Sequence, residues 1–340
     1  MEPVACLALC MTPATRGGEG GSVMAMHISA IPHHERSDAA DASLFSAYSL
    51  AILGWVLSAG VYIAARWATV EMPPWSLTFW RLALACLILL PIVRHKFPAM
   101  GKLMRSRAVA LLVTAGLGFT VCQGLLYTGL HYTDATTAGL IMALTPVITL
   151  ILAHFLLREA LGPWQGVGSV LSLFGMVVIV ARGDFAALLR LEVNAGEPLI
   201  VCSAIAFAFY TVLLKHFKFG IDRLPLLVVL LGAGAITAAP LYGVELMLDE
   251  RTTLDSKGLL ALAYVAAPGG AFMYYLYNRS VDVLGAGRAG MLMYLQAAFV
   301  ALLAYLLLGE SLHTYHLVGA AIIVAGLLLA VLVKPKAAHG

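Results

Sequence analysis

The chain states one stretch twice. Shifted by 151 positions, residues 135–180 lie on residues 286–331 without a gap, and 15 of the 46 pairs are identical. The identical pairs include Gly139/Gly290, Met142/Met293, Glu159/Glu310, Gly168/Gly319 and Gly175/Gly326. Apolar bias accounts for matched leucines and alanines. It does not account for three paired glycines and a paired glutamate in one register.

What such a repeat can build depends on its solvent. The 340 residues are 61% hydrophobic and 11% charged, against about a quarter charged in ordinary soluble domains. So few charges cannot cover a soluble fold of this size, and the chain reads as an all-α integral membrane protein. A spanning helix needs about 20 apolar residues. Ten runs meet that need: Ser46–Ala65, Trp75–Val93, Arg107–Leu130, Asp134–Leu157, Trp164–Ala181, Gly196–His216, Leu224–Met247, Lys257–Ser280, Ala286–Leu308 and Tyr315–Val333. Their length excludes barrel strands, which run to about 10 alternating residues.

Ten spans in two copies give five per copy. An odd number forces the second copy to enter the bilayer from the opposite face. The expected architecture is therefore two inverted five-helix repeats, residues 44–182 and 195–334. Inverted repeats commonly build alternating-access carriers with a site near the midplane. Residues 1–43, rich in Gly, Ser, Pro and His, read as a disordered tail, and residues 335–340 as a short C-terminal tail. Leu7–Cys10 faintly suggests a lipoprotein cleavage box, but Glu2 and the short apolar run argue against a signal peptide.

Fifteen Lys and Arg fall on the side that holds both termini, among them Arg94, Lys96, Lys102, Arg105 and Arg107. Five fall on the other side: Arg66, Arg182, Arg190, Arg251 and Lys257. Cytoplasmic loops carry the excess, which places both termini in the cytoplasm; the expected location is a plasma membrane, the inner membrane of a bacterium. A net charge of +3 gives no case for nucleic acid. The five cysteines form no CxxC, so no metal site, disulfide framework or cofactor is expected.

Several stretches together resemble the EamA family of the drug/metabolite transporter superfamily. They are Thr78 to Ala85, Ala135 to Pro146, Leu156-Leu157-Arg158-Glu159 with Gly168 and Gly175, and the echo Leu307-Leu308-Gly309-Glu310 with Gly319 and Gly326. The resemblance covers Ser46 to Val333. It implies export of amino acids, amphipathic metabolites or drugs. One departure stands out: Ala297 occupies the place of Pro146, so a hinge at Pro146 has no symmetric partner.

Polar groups facing lipid are costly, so those within spans should line the interior. Helical spacing groups Ser58 with Tyr62; Gln123 with Tyr127 and His131; Met142 with Thr145 and Thr149; Ser203 with Phe207 and Tyr210; Tyr274 with Tyr277 and Asn278; and Met293 with Gln296. The candidate path is Arg81, Gln123, Tyr127, Met142, Thr145, Tyr210, Tyr274, Asn278, Met293 and Gln296. Structural roles compete at each. Span hydroxyls often bond their own backbone, and Tyr127 and Tyr277, near span ends, suit an interfacial belt. Glu159 and Glu310 read as caps of short turns, and the paired glycines as close helix contacts.

Arg81 is the lone charge within its span. Either it holds a substrate carboxylate or other anion, or it snorkels outward beside Trp80 or bonds helix carbonyls. The resemblance favours the latter, since family members often carry Arg here whatever they move. No Asp or Glu lies in mid-span, which points to facilitated or exchange transport rather than ion coupling. An intramembrane enzyme is the alternative, but no HExxH, GxSxG or mid-span Asp pair occurs. A scaffold or receptor would not need polar positions repeated in both copies. The expected partners are a small-molecule substrate and the lipid bilayer, with a homodimer compatible.

Overall fold

The computed structural model describes residues 33–69, 72–158, 163–181, 183–184, 194–248, 256–284 and 294–332. Contacts divide the chain into Met1–Asp41 and Ala42–Gly340. Helix α1 (His33–Ala68) starts within the stretch read as a tail. Every described element is helical.

Six helical stretches among the described residues are long and apolar enough to cross a membrane. One of them, Pro74–Tyr132, has 59 residues. At 1.5 Å per residue it would reach about 88 Å, nearly three times the hydrocarbon thickness, so it must fold back. It does so after α2 (Pro74–Leu89). A tight 3₁₀ segment, Leu90–Lys96, follows, and α3 (Phe97–Ala115) bends at Arg107, where φ is −135°. The chain returns along α2 through α4 (Cys122–Tyr132). Three shorter apolar helices cover Gly166–Ile179, Leu295–Leu308 and Thr314–Gly326. Large side chains such as Leu87, Val109, Phe155, Leu260 and Leu306 lie exposed on the outside, as lipid-facing residues do.

The run expected as one span over Asp134–Leu157 is two helices, α5 (Ala135–Met142) and α6 (Thr145–Leu157). Pro146 causes the break. It has no N–H to give the Met142 carbonyl, four residues back. The Thr145 hydroxyl supplies that bond instead, at 2.7 Å.

Three widened π-helical turns occur among the described residues, one at Ala304–Leu308 and two that correspond, at Gly116–Val121 and at Ala267–Phe272. The second of the corresponding pair lies between α10 (Ser256–Ala266) and α11 (Met273–Leu284). The two turns are 151 positions apart, the same interval as the sequence repeat. The first packs on α8 (Gly196–Phe217) and α9 (Arg223–Met247), the second on α2. Such turns recur at functional sites.

Among the described contacts between elements, that of α7 (Pro163–Val180) with α13 (Thr314–Leu332) is the most extensive. A Cβ on Gly175 would stand 2.8 Å from the Gly319 carbonyl, and one on Gly326 2.5 Å from that of Gly168. The partner number falls as the residue number rises, so the helices run antiparallel. Between these glycines Ser172 donates to the Ile323 carbonyl at 3.2 Å. Position 323 is position 172 plus 151: the residue meets its own counterpart.

Two carboxylates close helix starts. Glu310 accepts from the Ala135 and Thr136 amides at 2.9 and 3.0 Å and from the Thr136 hydroxyl at 2.8 Å. Glu245 does the same for Trp75 N (2.9 Å), Ser76 N (2.7 Å) and Ser76 Oγ (2.8 Å). Helix starts carry unpaired N–H groups and partial positive charge, which a carboxylate satisfies. Glu310 thus caps a helix, but α5 rather than its own adjacent turn. Glu159 lies outside the described residues. Arg66 supplies the converse at the end of α4, donating to the Leu130 carbonyl and, at 2.7 Å, to that of Thr133.

Candidate functional site

Arg81 sits two turns into α2, with 4% of its surface accessible. Its Nη1 donates to the Gln123 side-chain oxygen and, at 2.7 Å, to the Tyr127 hydroxyl. The guanidinium carbon also stands 6.0 Å from the Tyr127 ring centre, at the edge of cation–π range. It therefore neither snorkels outward nor bonds helix carbonyls, contrary to the reading favoured from sequence. The four-residue spacing puts Gln123 and Tyr127 on one face of α4. Between them Gly124 lets the Trp75 ring lie directly on the α4 backbone. That approach brings α4 within reach of Arg81.

Tyr127 is fully buried, at 0% exposure, which does not suit the interfacial belt that competed with its place in the candidate path. Its hydroxyl serves the arginine. Tyr277, expected in the same belt, packs edge-on against Trp55 at 5.4 Å.

Tyr62, Cys122, Tyr127 and Tyr274 lie within electrostatic reach of the guanidinium. Phe119, from the first π turn, meets Tyr210 edge-on at 5.3 Å and Tyr274 at 6.1 Å. Gly118 has no side chain to keep Tyr210 off that turn. On the side toward α8, Ser203 Oγ donates to the Cys122 carbonyl at 2.6 Å and lies 3.6 Å from Met142 Sδ. Met142, Tyr210 and Tyr274 are thus reached from the arginine centre through Ser203 and Phe119.

The remaining candidates divide. Gln296, on α12 (Tyr294–Leu303), donates to the Ser58 hydroxyl at 2.8 Å. Thr145 is 2% exposed, and its hydroxyl is committed to Met142. Asn278 donates to the Tyr274 carbonyl, one turn back on its own helix, at 2.8 Å. Met293 lies outside the described residues. Gln123, Thr145 and Gln296 are all at least partly withdrawn from the surface. Sequence reasoning passed over Phe119 and Cys122 as apolar filler. The one available signal was the glycine pair Gly116 and Gly118 beside them.

The chemistry of the centre is that of a buried permanent cation. Arg81 pairs with no carboxylate among the described residues. Gln123 and Tyr127 accept from it but do not neutralise it, and an intramembrane charge without a counter-charge is costly.

Helices of membrane length, an apolar exterior and a buried polar centre define a multi-pass membrane protein. The chain belongs to the EamA-like transporter family, whose pattern it matches twice, over residues 45–181 and 194–332, and is a membrane transporter by class. It is 23% identical over 284 residues to the uncharacterized transporter YyaM of Bacillus subtilis, covering 82% of this chain and 92% of that protein. It is 25% identical to an S-adenosylmethionine uptake transporter of Rickettsia felis, covering 84% of this chain and 94% of that one. A solved crystal structure shares the fold with a TM-score of 0.57 at 20% identity, covering 86% of this chain and 97% of the other.

Proposed function

We propose that the protein moves small amphipathic metabolites across a plasma membrane by alternating access, with Arg81, Gln123 and Tyr127 at the centre of the path. The observation that carries this reading is the arginine itself, buried among helices of a membrane protein and held by neutral partners. Structural arginines in such settings pair with carboxylates or backbone carbonyls. This one is left with charge to offer a solute.

The transport unit is ten spans in two inverted copies, both termini cytoplasmic. Support for the inversion comes from α7 and α13, which cross antiparallel at repeat-equivalent glycines with Ser172 against its own counterpart. Two equivalent helices that cross this way are related by an axis perpendicular to both. For membrane-crossing helices that axis lies near the membrane plane. In this orientation Glu245 and Glu310 fall at the outer face. Each is carried by the second copy and caps a helix of the first, so opening outward would release both caps. The proposed direction is export, as the family resemblance implies; the relative from Rickettsia is named for uptake.

Flux in vesicles reconstituted with the purified protein alone is the test. Arg81→Ala is expected to abolish flux while membrane abundance stays at the wild-type level. Parallel loss of both would reduce Arg81 to a structural residue.

A further inference from the structure

We infer that the transported solute carries one net negative charge, a carboxylate on an apolar or aromatic body, and that Arg81 grips it side-on. The inference rests on the carrier reading and narrows it.

Charge accounting comes first. The centre holds one permanent cation, since a guanidinium does not deprotonate in proteins. Among the described carboxylates, Glu310 and Glu245 cap helix starts, Asp222 pairs with Lys96 at 3.0 Å, and Glu197, buried at the start of α8, makes no ion pair with Arg81. A neutral or cationic solute would leave the buried charge uncompensated or double it. A monoanion would cancel it.

Geometry gives a second, independent reason. Both hydrogen bonds of Arg81 leave from Nη1. The parallel N–H donors of Nε and Nη2 take no part in them. That edge is the one that receives a carboxylate in a two-bond fork. Gln123 and Tyr127 thus hold the arginine from one side and leave its fork for the solute.

The rest of the solute follows from the surroundings. Phe119 and Met142 offer apolar surface, and Tyr62, Tyr210 and Tyr274 offer rings with a hydroxyl each, but no charged group. An apolar or aromatic body suits this wall. No acidic side chain described near Arg81 would hold an ammonium. S-adenosylmethionine, with a sulfonium and an ammonium against one carboxylate, has the wrong net sign.

The test uses three probes with one hydrocarbon body: 3-phenylpropionate, 3-phenylpropionamide and 3-phenylpropylamine, with S-adenosylmethionine as a fourth. Thermal stabilisation of the purified protein and uptake into proteoliposomes are both read. The carboxylate is expected to stabilise saturably, with a Kd lower than those of the amide and the amine by about tenfold or more. Arg81→Gln is expected to erase that preference without lowering the melting temperature of the ligand-free protein, since it removes an uncompensated charge. Should Arg81→Gln fail to fold, the wild-type ranking of the probes still decides. Uptake of the amide, the amine or S-adenosylmethionine with the carboxylate rejected overturns the inference and leaves the carrier reading standing. Uptake of none of the four, with none stabilising the protein, overturns the inference, and the carrier reading then stands or falls on the flux test of its own.

Discussion

Around Ser172 the two copies meet residue for residue, whereas around Arg81 their side chains part company. At the α7–α13 crossing, Gly168 and Gly175 face Gly326 and Gly319, and the repeat is legible in both backbone and sequence. At the centre only the backbone repeats. The π turns at Gly116–Val121 and Ala267–Phe272 correspond, and so do Pro74 and Pro225 at the starts of α2 and α9. But Gly232 stands where Arg81 would recur, Tyr274 for Gln123 and Asn278 for Tyr127. The difference has a physical basis. A contact between equivalent helices must fit itself, so both copies need the same small residue. A buried cation gains nothing from duplication, because two like charges in a low-dielectric interior repel and each needs its own compensation.

The largest expected effect tests the first half of that contrast. Gly326→Val places a branched side chain 2.5 Å from the Gly168 carbonyl and against Ser172, in a contact that neither helix can leave alone. A loss of about 3 kcal/mol, or outright failure to assemble, is expected in detergent unfolding. Gly232→Ala is the counterpart. Its Cβ would meet Cys86 Sγ at an ordinary 3.5 Å, so stability should stay within about 1 kcal/mol of wild type. Equal losses at the two glycines would break the distinction between a shared contact and a freed position.

The caps come next in size. Glu310→Gln keeps one good acceptor oxygen for three donors and loses the charge that favours a helix start. The expected cost is about 1–2 kcal/mol, read by chemical unfolding. Glu245→Gln should cost about the same. The two sites cap different helices and share no partner, so the double variant should lose the sum. A loss well short of the sum would mean that the caps belong to one cooperative latch rather than to two separate helix ends.

How much of this could be read from the chain follows the same division. The repeat, the membrane class and the presence of membrane-length apolar helices were legible because each rests on apolar length or on a spacing along the chain. Pro146 was legible as a hinge, although the Thr145 hydroxyl that completes it looked like a path residue. The four-residue spacing of Gln123 and Tyr127 put them on one face. Arg81's reach to them depends on Gly124 lying under Trp75, a contact between helices that no spacing encodes. Tyr127 stood in the candidate path with an interfacial role competing, because it lies near a span end; the structure buries its side chain beside Arg81 instead. The π turns left almost no trace. GLGFTV and APGGAF share a single aligned glycine, because a change of hydrogen-bond register answers to the neighbouring helices.

The smallest effect concerns a place where the left-handed cap repeats and the residue type does not. α6 ends at Arg158 with φ 55°, and the equivalent helix ends at Gly309 with φ 67°. A left-handed residue is a common way to finish a helix, and glycine adopts that conformation without a steric penalty. Arginine does not, because its Cβ crowds the following carbonyl, at about 1 kcal/mol or more. Nothing stands within 4 Å of a Cβ on Gly309, so exchange there acts through the backbone alone. Arg158→Gly should therefore raise stability by about 0.5–1 kcal/mol, and Gly309→Arg should lower it by a similar amount, both read as shifts in the unfolding midpoint. Opposite and matched shifts would mean that the two helix ends obey one backbone rule. A loss at Arg158→Gly would instead assign the arginine a contact that outweighs its strain.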